Sequence, residues 1–285
     1  SEVVRRLERP GGTVQFLSAG ANKEVWTLTG DGPPLVIRRA SGSRIHHDEL
    51  DADEEFRLLI AMSEAGVRVP TPVANLGEVD GRLTTVVTLV AGETRGQRIV
   101  KGPGVALLND FAEQAALIHT ASPENLPFLR RRDEVARLAA ELATVDGPHS
   151  VVDLALWWLA EMRPPSLPDV VVHGDYRVGN VVVADGRMSA VLDWEGAHLA
   201  DPREDLAWGT LRTWRFGNDT MEYGGIGSVE SLLVTYGRRT GITILPNDLK
   251  WHVVLGYTKW AILHFLQACR RRSNIDPPCR PNIDP

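Results

Sequence analysis

Apolar and polar positions follow two different periods along this chain. The first ninety residues favour short β-rich runs: Val14-Gln15-Phe16-Leu17, Glu24-Val25-Trp26-Thr27-Leu28 and Leu35-Val36-Ile37-Arg38. The small-residue run Ser18–Lys23 separates the first two, and a Gly/Pro turn over Asp31–Pro34 separates the next pair, so a hairpin and a third strand are predicted. Phe56, Leu59, Ile60 and Met62 recur at helical spacing and predict a helix over Asp48–Ser63, with Gly66 as its stop. Val67–Pro72 reads as an extended connector, because proline biases the residue before it away from the helical region. Val73–Leu76 and Leu83–Leu89 predict strands around an Asp80-Gly81 turn. Val90-Ala91-Gly92-Glu93 then reads as a hinge.

After Pro103 the spacing turns helical. Val105–His119, Leu129–Ala143, Val151–Met162, Leu206–Trp214, Ser228–Arg239 and Asp248–Arg272 carry the length and pattern of helices. Short apolar runs interrupt them at Val170–Val172, Val181–Val183 and Ser189–Leu192. The expected class is α+β: a small β-rich N-terminal lobe over 1–90, a larger, mainly helical lobe over 91–272, and a tail over 273–285. The tail repeats Asn-Ile-Asp-Pro, and its prolines argue against helix or central strand.

Composition narrows the setting. At 285 residues, the chain is long enough for two lobes sharing a cleft. A formal net charge of −6 argues against nucleic acid as the main partner, which would want a basic field. The two cysteines, Cys269 and Cys279, cannot staple a chain of this size, so a reducing cytoplasmic setting is expected. Ser1–Pro10 is charged and shows no signal peptide, and no apolar run approaches the roughly 18 residues of a membrane span.

The candidate chemistry lies in His173-Gly174-Asp175-Tyr176-Arg177-Val178-Gly179-Asn180, followed by Asp193 after an apolar run. Phosphoryl transfer needs a carboxylate to orient a hydroxyl nucleophile, and hard oxygen ligands to hold Mg²⁺ on the nucleotide phosphates. Asp175 suits the first role, and Asn180 with Asp193 the second; the protein-kinase loop has the same Asp-to-Asn spacing. His173 reads as a buried structural histidine, since no second histidine lies at ligand spacing nearby. In Ser18–Lys23, small residues let backbone N–H groups approach a phosphate.

Val171–Asp205 resembles the aminoglycoside phosphotransferase family of kinase-like enzymes. The resemblance rests on His173-Gly174-Asp175, Asp193-Trp194-Glu195 and the run Asp201-Pro202-Arg203-Glu204-Asp205-Leu206-Ala207. It implies a protein-kinase-like fold and Mg²⁺-dependent transfer of the γ-phosphate of ATP or GTP to a hydroxyl of a small molecule, aminoglycosides among the options. It also implies a nucleotide site built from Ser18, Gly20, Ala21, Asn22, Arg38, Glu55 and Val90. Arg38 stands where a kinase strand normally offers lysine, with Glu55 as its expected helix partner and Glu54 as a near rival. Asp201 and Asp205 would brace the catalytic loop. The branch that the Arg38-Arg39 strand resembles includes domains fused to acyl-CoA dehydrogenases. A nucleotide-binding pseudokinase or regulatory module is the alternative, motivated by Arg38 and by the single glycine of the phosphate loop. Substrate contacts stay open: Glu195, Glu204, Trp194, Trp208 and Trp214 are candidates, although tryptophans at helical spacing are more often core.

Overall fold

In a computed structural model, residues 2–19, 23–40, 49–102 and 104–273 are described. Their N-terminal part is one antiparallel sheet of five strands: β1 (Thr13–Ala19), β2 (Lys23–Thr29), β3 (Leu35–Ala40), β4 (Pro72–Val79) and β5 (Arg82–Thr88). The spatial order is β1-β2-β3-β5-β4. The expected hairpin is present, with Phe16 opposite Trp26 and a register shift between Phe16 and Ser18.

Alternate residues of a strand face opposite sides of a sheet, and β3 uses both. Leu35 and Ile37 pack with Leu28, Val79 and Val86 under a short helix α1 (Glu2–Arg6), which contributes Val3 and Val4. Val36 faces the other way, into the cluster that holds Leu58, Leu59 and Met62 of α2 (Ala52–Glu64). Helix α1 escapes pattern reading because three of its five residues carry charge and it makes barely more than one turn.

Helix α2 starts four residues later than expected, at a capping box. The Asp51 carboxylate accepts from Glu54 N at 2.8 Å, while the Glu54 carboxylate accepts from Asp51 N at 2.9 Å. This bonding takes Glu54 out of contention as the Arg38 partner.

The remainder is mostly helical: α3 (Gly96–Ile99), α4 (Gly104–Thr120), α5 (Glu134–Leu142), α6 (Ser150–Glu161), α7 (Arg203–Trp208), α8 (Val229–Thr240) and α9 (Lys250–Ser273). Two small antiparallel pairs lie among them: β6 (Val170–Val172) with β9 (His198–Ala200), and β7 (Val181–Ala184) with β8 (Arg187–Val191). One continuous core joins α2 to Phe111 of α4, Val171, Trp194 and Leu206.

Two predicted helices are shorter than their apolar spacing suggested. Residues 129–133 are not helical: Arg130 and Arg131 lie along β9, and Asp133 caps α5 by accepting from Ala136 N. Helix α7 ends at Gly209, where a Cβ would sit 2.4 Å from the Tyr223 ring; a 3₁₀ turn over Arg212–Arg215 follows. Strand β9 was not anticipated, since three residues carry no usable period. No described helix is long and apolar enough to cross a membrane.

The connector after α2 is tied down through Asp110 of α4. This fully buried carboxylate accepts from Arg68 Nη1 at 2.9 Å, Arg187 Nε at 2.7 Å and Met188 N at 2.9 Å. Val191 N also donates to Arg68 O at 2.7 Å. These bonds hold the sheet-bearing part against the β7–β8 hairpin, whose end delivers Asp193.

Candidate active site

The loop after β6 is shaped by one glycine. Gly174 has φ +80°, and a Cβ there would lie 2.3 Å from the Gly196 carbonyl oxygen. A side chain would meet both left-handed strain and a backbone clash. Asp205 of α7 then holds the loop, accepting from His173 N at 2.6 Å and Gly174 N at 2.9 Å. Burial would raise the Asp205 carboxyl, but His119 and His173 outweigh it and keep it below the ordinary value. Asp201 works nearby, accepting from Leu167 N and pairing with Arg203. Asp205 therefore braces the loop directly, whereas Asp201 ties the segment before β6 to the start of α7.

His173 is buried and bonded on both ring nitrogens. Nε2 donates to Leu192 O at 2.8 Å, and Nδ1 accepts from Asp175 N at 3.2 Å. Its ring ties the Asp175 loop to the strand leading into Asp193.

The Asp175 carboxylate is fixed from three directions. Oδ1 accepts from Trp208 Nε1 at 2.5 Å and Arg177 Nε at 2.9 Å; Oδ2 accepts from Asn180 Nδ2 at 2.6 Å. The Arg177 guanidinium in turn lies 4.2 Å from the centroid of the Trp214 ring. Because Asn180 spends its amide nitrogen on Asp175, its amide oxygen is the ligand it can offer a cation. Asp193 holds a left-handed backbone, φ 61° and ψ 64°, which costs a non-glycine residue on the order of 1–3 kcal/mol. Its side chain is 57% exposed, toward the cleft.

The sheet supplies the cations. Arg38 Nη2 sits 2.6 Å from Glu55 Oε2, which identifies Glu55 as the helix partner. Lys23 Nζ lies 3.2 Å from Glu55, 2.9 Å from Glu195 and 3.7 Å from Asp193. Burial would raise the Glu55 carboxyl, but Arg38 and Lys23 hold it at about 2. Burial would likewise lower the Lys23 ammonium; its carboxylate neighbours, Glu55 foremost, keep it above the usual lysine value. The Glu195 carboxyl is raised by burial, against the pull of Lys23. Leu50 N donates to Glu195 O at 2.9 Å, docking the start of α2 onto this turn.

Two cavities meet here. One, of about 200 Å³, is mainly apolar, walled by Val25, Val36, Leu59, Val87, Leu89 and Val90, with Lys23, Arg38 and Asp193 at its polar end. The other, of about 460 Å³ and called polar for its many charged lining residues, exposes Asp175, Arg177, Trp208, Lys259 and Trp260, with Arg132, Arg137 and Glu141 at its wall. Lys259 Nζ also donates to Gly174 O at 2.9 Å.

Asp175 and Asn180 are thus hydrogen-bonded, Asp193 lines the larger cavity together with Asp175, Arg38 meets Glu55, and Val90 lines the apolar cavity. Ser18 lies in β1 and lines the polar cavity instead of the apolar one. Gly20, Ala21 and Asn22 lie outside the described residues. Pattern reading did not single out Lys23, Arg177 or Lys259. Lys23 carried one usable signal: it is among only four lysines in the chain, at the point where the small-residue run becomes a strand. Glu134, His198 and Glu204 also bring ligand atoms within 4.8 Å of one another. Arg137, bonded to Glu134 at 2.6 Å, and Lys259, 3.7 Å from Glu204, already set positive charge against that cluster.

The model of the phosphotransferase enzyme family, APH, matches residues 13–242. Among curated proteins, the chain is 25% identical over 282 residues to acyl-CoA dehydrogenase family member 11 of Gallus gallus, covering 89% of this chain and 36% of that protein. It therefore spans about a third of the length of that relative. It is 28% identical over 224 residues to aminoglycoside 3'-phosphotransferase of Streptomyces ribosidificus, covering 75% of this chain and 83% of that one. A GDP complex of aminoglycoside 2'-phosphotransferase-IIIa superposes with a TM-score of 0.69 at 15% identity, covering 96% of this chain and 91% of that one. At that identity the superposition establishes the kinase-like fold alone.

Proposed function

Because this chain belongs to the APH phosphotransferase enzyme family, we propose that it transfers the γ-phosphate of ATP or GTP to a hydroxyl of a small molecule, with Mg²⁺ as cofactor. The observation that carries this reading is the placement of Asp175. Its carboxylate opens on the polar cavity, beside Asn180 and near the Asp193 boundary with the apolar one. A purine fits the apolar cavity at Val90, its phosphates run toward Lys23 and Asp193, and the acceptor fills the polar cavity.

Asp175 accepts the hydrogen bond of the acceptor hydroxyl and points its oxygen at the γ-phosphorus. The contacts to Trp208, Arg177 and Asn180 hold the carboxylate in one orientation, so attack starts from a positioned pair. The new O–P bond forms as the bond to the β-phosphate oxygen breaks, and the hydroxyl proton leaves toward Asp175. The Asn180 amide oxygen and the Asp193 carboxylate are hard donors of the kind Mg²⁺ selects, and the residues fit it. When bound, that ion neutralises charge on the phosphates.

Acceptor identity is a matter for screening. Aminoglycosides belong in the first panel, since a relative is named for them, alongside other small alcohols. Catalysis is favoured over the pseudokinase alternative by the Asp175–Asn180 bond, by Asp193 at the edge of both cavities and by two cleft cations on Glu55. The test is Asp175→Asn, which keeps the shape and removes the charge. Turnover should fall about 10²–10⁴-fold while nucleotide binding persists; near-normal turnover in the folded variant would sink the assignment.

A further inference from the structure

We propose that the lysine that touches the transferring phosphate is Lys23, on β2, and that Arg38 on β3 is a positioning residue that secures Glu55. This rests on the phosphotransferase reading above. The phosphoryl group must pass from the apolar cavity to the polar one. Among the described residues only Lys23, Val25 and Asp193 line both. Val25 is apolar and Asp193 is a carboxylate, so Lys23 is the cation at the crossing. Arg38 borders the apolar cavity alone.

The contacts divide the same way. The Arg38 guanidinium is engaged by Glu55 at 2.6 Å. Lys23 is shared among Glu55, Glu195 and Asp193, at 3.2, 2.9 and 3.7 Å. A lysine is a compact charge on a flexible stem, whereas a guanidinium is a planar fork that binds a carboxylate rigidly. Lys23 can therefore trade Glu195 for a phosphate oxygen while Arg38 keeps Glu55 in place. The departure at Arg38 becomes a relocation: the lysine role passes from β3 to the neighbouring strand, where Lys23 pairs in register with Ala40, two residues beyond Arg38. The rival is Arg38 itself, whose buried Nε has no hydrogen-bond partner among the described residues.

The experiment combines wild-type labelling with substitutions in the full chain. An acyl-phosphate derivative of ATP transfers its acyl carbon to a nearby amine, forming an N–C bond as the C–O bond to the phosphate breaks and the nucleotide leaves. Lys23, Lys101, Lys250 and Lys259 are the only lysines, so mass spectrometry reads the site unambiguously. Acylation of Lys23, blocked by excess Mg·ATP, is expected. In parallel, Lys23→Met should lower turnover at least about 100-fold, in line with loss of one transition-state charge contact. It should also erase the preference for Mg·ATP over Mg·ADP in calorimetry. Arg38→Lys, which keeps the charge beside Glu55 but loses the planar fork, should lower turnover less than Lys23→Met does and leave the preference for Mg·ATP over Mg·ADP in place.

ATP-protected acylation of Lys259 with Lys23 unlabelled overturns the proposal. So does a folded Lys23→Met variant with turnover within about three-fold of wild type. Should that variant fail to fold, the wild-type labelling decides. Wild type that binds no Mg·ATP would sink the phosphotransferase reading as well, whereas binding and turnover with Lys23 silent would sink only this inference.

Discussion

The Asp175 carboxylate is held in one orientation by Trp208, Arg177 and Asn180, on a loop that bends at Gly174. At Gly174 the left-handed backbone coincides with a 2.3 Å approach to the Gly196 carbonyl. Gly174→Ala should cost about 2 kcal/mol or more and lower the melting temperature by about 4 °C or more. Turnover should fall with it, since Asp175 is the next residue; an unchanged melting curve would show that the loop accommodates a side chain. Glu55 makes the pH case. Its carboxyl is held at about 2 against an ordinary 4.5, so the folded state binds its proton later than the unfolded chain does. That stability is fully present above 4.5 and is lost as the pH falls toward 2. It is on the order of 3 kcal/mol. Glu55→Gln should therefore flatten the acid limb of stability against pH in that window, measured by denaturant titration. An acid limb identical to wild type would remove Glu55 from the account.

At the scale of elements, α2 carries the partner of both cleft cations, so what positions the helix also positions the site. Its start is set by the Asp51–Glu54 capping box, and Glu55 follows immediately. Asp51→Ala should cost about 1 kcal/mol and weaken nucleotide binding together with stability; loss of stability with unaltered nucleotide affinity would separate the cap from the site. The same element shows where pattern reading succeeds and fails. Phe56, Leu59 and Met62 announced the helix by their spacing, but whether Glu54 or Glu55 met Arg38 depended on the cap consuming one of them. In α5 the apolar spacing continued back to Leu129, and only the pairing of Arg131 with Leu199 kept that segment extended.

For the whole molecule, the joint between sheet and helices fixes the geometry of the cleft. Asp110 binds the Arg68 connector and the Arg187 hairpin at once, and one core runs from α2 through Phe111 to Leu206. A ligand that enters between these parts and binds only the folded state adds stability. At about 100 times its dissociation constant the gain is about 2.7 kcal/mol, which should raise the melting temperature by about 5–10 °C. Mg·ATP or Mg·GTP should produce that shift in wild type, and Asp193→Asn should remove its dependence on Mg²⁺. A shift equally large without Mg²⁺ in wild type would remove Asp193 and Asn180 as metal ligands.

The order of short β-runs before helices, the close spacing of Asp175 and Asn180, and Asp193 at the end of an apolar run are properties of the chain itself. They were legible because periodicity and local spacing survive in one dimension. The Arg38–Glu55 pair was legible only as a pairing of candidates. Lys23 and Lys259 became site residues only in three dimensions, and Trp208 gained its place beside Asp175 only there, because their partners lie far along the chain: Lys23 meets Glu55 and Glu195, Trp208 meets Asp175, and Lys259 meets Gly174. Sequence periodicity reports which face a residue occupies on its own element. Which charges then share one low-dielectric cleft is settled by how the elements pack, and electrostatic partnership follows distance in space.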